Sequence, residues 1–181
     1  MATPLSCSRQ RGASLIEVMV TIVILGVGLL GMAGLQSRLQ QSEMEAYQRS
    51  QALLLLDDMA NRLATNRNSA ASYTTTSGPV GAGMVCSSIT HKDLLEWCNA
   101  LQGAAESAGG NKVGAMIGGR GCVETVAANT YLITVAWQGL LPIAAPPAGV
   151  ACGANSYDGG TNCTDDLCRR VVTTLVRIAD L

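Results

Sequence analysis

The run Val18–Leu35 is almost wholly apolar, with Thr21 its only polar side chain, and it admits very few folds. A helix of about 20 apolar residues spans the hydrocarbon core of a bilayer. One carboxylate, Glu17, stands at its N-terminal edge, and an ionisable group in such a place is expensive enough to mark a functional site. The preceding segment, Met1–Gly12, holds Arg9 and Arg11 and no acid. Such a positive flank stays on the cytoplasmic side and directs the rest of the chain outward. A cleaved secretory signal is the alternative, with conventional cleavage near Gly34. Its apolar region is usually about 7–15 residues, so the longer run here reads as a retained membrane helix.

The order basic leader, Gly12, Ala13, "SLIEV", apolar helix resembles the class III signal of type IV pilins and type II secretion pseudopilins. The matching residues are Gly12, Ala13 and Glu17. The resemblance implies that prepilin peptidase cuts between Gly12 and Ala13 and that the new amine of Ala13 is methylated. Ala13 stands where many pilins have Phe. Glu17 then lies one turn past the new N-terminus, where the helix dipole favours a carboxylate. In a filament it is expected to pair with the Ala13 ammonium of a neighbouring subunit, as in the family. A paired charge in a low-dielectric core is far better tolerated than a lone one, so assembly relieves what lipid penalises. The bland alternative is that Glu17 merely snorkels to the headgroups.

Helical character continues past Leu35. "QSRLQQSEMEAYQRSQALLLLDDMANRLATNR" contains no Gly or Pro, and most of its residues are good helix formers. Met32, Leu39, Ala46, Leu53 and Ala60 recur every seventh position, and Leu56 and Leu63 add a second row. The spacing predicts one helix from Ser14 to Arg67, about 80 Å long at 1.5 Å per residue. Its last turns, Leu53–Leu63, are expected to support a globular domain. The heptad is too short to read as a coiled-coil stalk. Gly26 and Gly34 weaken the apolar half, and Gly34 stands where several major pilins have Pro and unwind.

Asn66–Gly83, rich in Ser, Thr, Ala and Gly, reads as an exposed loop. In "SITHKDLLEWCNALQGA" a short helix places Leu94, Trp97, Cys98 and Leu101 on one face, with Thr90 three before Asp93 as a capping signal. His91, the only histidine, is expected to be solvated. "GAMIGGRG" does not join a strand to a helix as a phosphate loop would and reads as the approach to a hairpin. "RGCVETVA" and "TYLITVAW" flank a turn at Ala128-Asn129, and "RRVVTTLVRIADL" closes the chain with a third strand-like alternation. Three antiparallel strands are marginal alone, so the long helix must cover one face. The expected fold class is α+β and pilin-like: a long N-terminal helix on a small antiparallel sheet with disulfide-stapled loops.

The series "DLLEW", "GRGCV", "YLITVAW", "RRVVTTLVRI" resembles the domain of minor pilins of the PilV type. With the leader, the resemblance implies a leader peptide (1–12), a membrane or filament-core helix (13–35), its amphipathic continuation (36–67) and a periplasmic domain (68–181). Cys7 leaves with the leader. Cys86, Cys98, Cys122, Cys152, Cys163 and Cys168 remain, an even number facing an oxidising compartment. Six cysteines allow fifteen pairings. Cys86–Cys98, across the short helix, Cys122–Cys152, and Cys163–Cys168 are the expected set. Zinc is disfavoured because no CxxC pair exists and His91 is remote. The stretch between Trp137 and Arg169 is long for a structureless loop. Its Asp158, Asn162, Asp165 and Asp166 offer oxygens to calcium, but without EF-hand spacing, so a solvated, stapled surface loop is the plainer expectation.

No catalytic constellation appears, so neither an enzyme activity, a cofactor, a metal nor a small-molecule substrate is expected. The net charge of −1 provides no basic field for nucleic acid. The resemblance implies an inner-membrane, single-pass minor pilin that primes pilus assembly and ends at the tip of the extracellular fimbrium. Its partners would be other minor pilins, the major pilin and prepilin peptidase, and its loss would reduce piliation and twitching motility. The alternatives are a tip recognition or adhesion module and a minor pseudopilin of type II secretion.

Overall fold

A computed structural model of the protein describes residues 12, 14–104, 107–109, 111–112, 114, 116–160 and 162–179, and everything below concerns these. The elements are α1 (Leu15–Thr65), a 3₁₀ helix (Arg67–Tyr73), β1 (Val80–Gly81), a second 3₁₀ turn (Cys86–Ser88), α2 (Lys92–Leu101), β2 (Ser107–Ala108), β3 (Asn111–Lys112), β4 (Arg120–Ala127), β5 (Thr130–Gln138) and β6 (Arg169–Arg177). Two compact units result, residues 1–42 and 43–181, with the division inside α1. The first contains the apolar part of that helix. The second contains the helix from Glu43 onward and all of the sheet.

The second unit is an antiparallel sheet in the order β1-β4-β5-β6. The α+β expectation holds, with one strand more in this sheet and a separate pair, β2 and β3, outside it: Val80–Gly81, from the segment read as loop, adds to β4 opposite Gly121 and Arg120. β4 and β5 turn through Ala128-Asn129, where Asn129 adopts φ 52, a left-handed conformation that Asn tolerates better than most residues. β5 pairs with β6 in continuous register from Thr130–Arg177 to Gln138–Arg169.

One sheet face carries Tyr131, Ile133, Val135, Trp137 and Val123, all buried in a core with α1 and α2. The stripe that α1 contributes is Gln48, Ala52, Leu56, Met59 and Leu63, steps of three and four that keep one helix face inward. The row through Leu53 and Ala60 is not the buried one: Leu53 remains 42% exposed. Both rows satisfy helical spacing, and the bulk of Trp97 and Tyr73 selects between them. Burial of Leu56, Met59 and Leu63 stabilises the docking by about 2 kcal/mol each.

α2 presents Leu94, Trp97, Cys98 and Leu101 to the core, as its spacing predicts. Trp97 is fully buried, and its Nε1 donates to the Leu55 carbonyl of α1 at 2.8 Å. The ring lies against Gly121, where any Cβ would overlap it and Leu101. That close approach explains a glycine at the second position of β4.

Three local expectations are corrected. Residues 67–73 are not an exposed loop: they form a 3₁₀ helix that buries Ala70 and Tyr73. Its apolar residues are too few to register as a period. Thr90 does not cap α2. His91 occupies that position without a side-chain bond to the backbone, and Asp93, the acid of the expected signal, is engaged elsewhere. His91 itself is half-buried, its ring 4.4 Å from that of Tyr73.

Asp93 belongs to a clasp joining the last turns of α1 to the start of α2. Arg62 binds Asp58 through Nε at 3.0 Å, and Asp93 at 3.2 Å and Glu96 at 2.7 Å through Nη1. Tyr73 donates its hydroxyl to Asp93, and Asn66 donates to Tyr73 at 2.7 Å. The Tyr73 hydrogen bond, with help from Arg62, holds the Asp93 carboxyl below the usual carboxylate range. Burial, then Asp93, pushes the Tyr73 phenol up. A carboxyl held low contributes stability above its unfolded pKa and loses it as pH falls through the folded one. The melting temperature should therefore fall below about pH 4. Asp93→Asn should lower it at neutral pH and flatten that acid limb, as read by calorimetry across a pH series.

Candidate functional site

The N-terminal site begins where regular backbone begins. Gly12 precedes the helix, and a Cβ there would meet nothing within 4 Å. Ala13, the expected new N-terminus and methylation site, and Cys7 lie outside the described residues. Ser14 opens the helix, its carbonyl accepting from the amides of Glu17 at 3.0 Å and Val18 at 3.2 Å. Glu17 is thus in the first turn, near the orphan amides whose dipole favours a carboxylate.

The helix that follows is long and apolar enough to cross a membrane, and none of its apolar span is buried within the chain. Leu15, Leu25 and Leu30 are 78%, 65% and 76% exposed. Water would penalise a surface of that size heavily, so the span requires lipid or protein around it. Its one polar side chain is satisfied locally, Thr21 Oγ1 donating to the Val18 carbonyl at 2.8 Å. Glu17 stands apart, an exposed acid at the end of an apolar cylinder.

In the second unit the six cysteines form three pairs: Cys86–Cys98, Cys122–Cys152 and Cys163–Cys168, with Cα separations of 5.7, 5.8 and 5.2 Å. These are the pairs expected from sequence. The first ties the 3₁₀ turn before α2 to α2 itself. The second ties β4 to the long loop after β5, and the third closes that loop's end. Each is worth about 2–4 kcal/mol by restricting the unfolded chain.

The long loop, residues 139–168, is not simply solvated. It covers part of the second sheet face, where Cys122, Ala136, Cys152 and Tyr157 form a smaller core. Tyr157 donates to the Gly118 carbonyl at 2.9 Å, and the Arg120 guanidinium lies 4.9 Å above its ring. Burial pushes the Tyr157 phenol up, against the Arg120 charge. Arg169 is the buried hub. Its Nη1 donates to the carbonyls of Val150 at 2.7 Å and Cys152 at 3.0 Å, and its Nη2 meets Asp166 at 3.1 Å.

Two of the acids considered for calcium, Asp158 and Asp166, are used within the loop. Asp166 accepts from the Asn155 amide, and Asp158 from the Asp166 amide, both at 2.8 Å. Among the described residues no three His, Cys, Asp or Glu side chains are placed to hold a metal ion. A second strap fastens the loop to α1. Glu45 accepts from the Leu140 amide at 3.2 Å and lies 3.8 Å from Arg170, which donates to the Leu141 carbonyl. Sequence reasoning missed both Arg169 and Arg170. The available signal was a pair of arginines opening a strand directly after Cys168.

Residues 7–33 match the model of the prokaryotic N-terminal methylation motif. The match spans Gly12, Ala13, Glu17 and most of the apolar run, and it supports a type IV pilin-like or pseudopilin-like protein. Such a motif implies processing by prepilin peptidase and assembly with other pilins, and the apolar helix is consistent with membrane anchoring and pilus incorporation. No curated protein and no solved structure matches the chain.

The loop chemistry yields a direct test. Arg169→Leu removes the side chain that donates to the Val150 and Cys152 carbonyls and takes from Asp166 its ion pair. It should destabilise the domain by about 3 kcal/mol, measured by urea unfolding with the disulfides intact. An unchanged midpoint would remove Arg169 from its place as hub.

Proposed function

We propose that the protein is a minor pilin of the PilV type, stored in the inner membrane with its domain in the periplasm. It primes pilus assembly with other minor pilins and the major pilin, and it comes to rest near the tip of the extracellular pilus, where piliation and twitching motility depend on it. Its role is structural and not enzymatic. The observation that carries this reading is Glu17 in the first turn of an unburied apolar helix, five residues after Gly12 and within the methylation motif. In lipid, a lone carboxylate at that depth is penalised by up to about 3 kcal/mol. A neighbouring subunit offering its Ala13 ammonium removes the penalty only when the helices dock in register, so one side chain both stores and directs the subunit.

The same N-terminus would serve a minor pseudopilin of type II secretion. The domain supports the pilus reading through its resemblance to PilV-type minor pilins, carried on α2, β4, β5 and β6. A recognition role for the long loop is better probed at its exposed positions than by deletion, because Cys152, Tyr157 and Cys168 are part of the fold.

Mass spectrometry of membrane-extracted protein should find a chain that starts at Ala13 and carries a methyl group on its amine. Glu17→Ala should leave leader removal intact while reducing incorporation into sheared pili by at least about tenfold. Normal incorporation would sink the docking role of Glu17. A lesion confined to protein secretion, with normal piliation, would transfer the protein to the pseudopilin class.

A further inference from the structure

The sheet has two edges, and the fold treats them differently. On the β4 side, β1 covers Arg120 and Gly121. Thr75 then occupies the next outward position, its amide donating to the Val123 carbonyl at 2.9 Å and its Oγ1 accepting from the Val123 amide at 3.0 Å. A register shift in the β4–β5 ladder between Thr125 and Ala127 makes the remainder of that strand irregular. These are the devices by which proteins blunt an edge. On the other side β6 runs uninterrupted from Arg169 to Arg177, without Pro, Gly, Lys or a bulge.

The phase of the ladder identifies what that edge offers. The Gly139 amide bonds the Cys168 carbonyl and the Ile178 amide bonds the Asn129 carbonyl, each at 2.8 Å. Even-numbered residues of β6 therefore bond β5, and the backbone groups of Val171, Thr173, Leu175 and Arg177 point away from the sheet. Among the described residues no backbone group meets them. Leu175 is 63% exposed beside this row.

Such a row takes an extended backbone, and its charges say whose. β6 holds three arginines and no acid. Arg169 and Arg170 have Asp166 and Glu45, while Arg177 is exposed and, among the described residues, has no carboxylate within ion-pairing distance. Two copies of β6 side by side in parallel would set Arg177 against Arg177, and antiparallel copies centred on Thr173 would set it against Arg169, whose Asp166 is already engaged; like charges across a pair of strands are destabilising.

We infer that the open edge of β6 accepts an extended strand of a different protein, apolar beside Leu175 and carrying a carboxylate where it meets Arg177. Backbone hydrogen bonds would supply the affinity and the Leu175 and Arg177 contacts the selectivity. The inference uses only the second unit and is independent of the reading of the N-terminus.

Site-resolved hydrogen exchange on the full chain tests it, comparing protein isolated in detergent with the complexes extracted from the producing cells' membranes. In the isolated chain Val172, Thr174 and Val176 should exchange slowly and Val171, Thr173 and Leu175 fast. In the complexes the latter three should slow by at least about fivefold. Thr173→Pro deletes one outward amide and leaves the bonds to β5 in place. It should lower the share of chain recovered in complexes about fivefold. Arg177→Glu, which leaves the ladder intact, should lower recovery too, and Arg177→Lys should retain it. Equal exchange in both states would overturn the inference, as would unchanged recovery of both Thr173→Pro and Arg177→Glu. Protection that rises with the concentration of the isolated chain would overturn it in favour of a second copy.

Discussion

A sheet of three long strands and one short one has two faces to bury, and this chain buries them by different means. One face is covered by the last turns of α1 together with α2, through Ala52, Leu56, Met59, Leu63 and Trp97. The other is covered in part by an irregular loop that disulfides and one buried arginine hold in place. The domain depends on both. The apolar patch on the second face would cost free energy if left bare, and ordering a loop of this length costs conformational entropy that its Leu140, Leu141 and Ile143, all exposed, do little to offset. The Cys122–Cys152 link and the Arg169 bonds compensate for that weakness at points where the loop has few large side chains.

The first unit follows the opposite logic. Its helix buries nothing within the chain and therefore has no stable place in water. Within the second unit, from Glu43 onward, the same helix carries the ordinary alternation of buried and exposed residues. One continuous element thus serves two solvents, and Glu17 marks the far end of the part that needs lipid or protein around it. The clasp of Arg62, Asp93 and Tyr73 works at the other end, fastening the helix terminus to α2.

Much of this was legible in the sequence. Composition alone separates the apolar run from the amphipathic run, because one excludes charge and the other spaces it. Alternation revealed β4, β5 and β6, and the face of α2 followed from Leu94, Trp97, Cys98 and Leu101. What escaped were elements too short or too irregular to carry a period. The 3₁₀ helix at Arg67–Tyr73, the two residues of β1 and the packing of the long loop all depend on contacts with residues remote in sequence. α1 presented two candidate rows for a related reason: both fit the helix, and only the partner surface chooses between them.

The sequence by itself determined the N-terminal site. A leader, a glycine, an acid five residues on and an unbroken apolar helix are local facts, since helix geometry converts spacing directly into position. It also determined that six cysteines remain after Cys7 is set aside with the leader. The pairs expected among them are the pairs found, but that Arg169 is buried among loop carbonyls, and that one sheet edge is covered while the other stands open, were decided only by tertiary structure. Those features arise from strand order and loop path, and no local period encodes which backbone lies beside which.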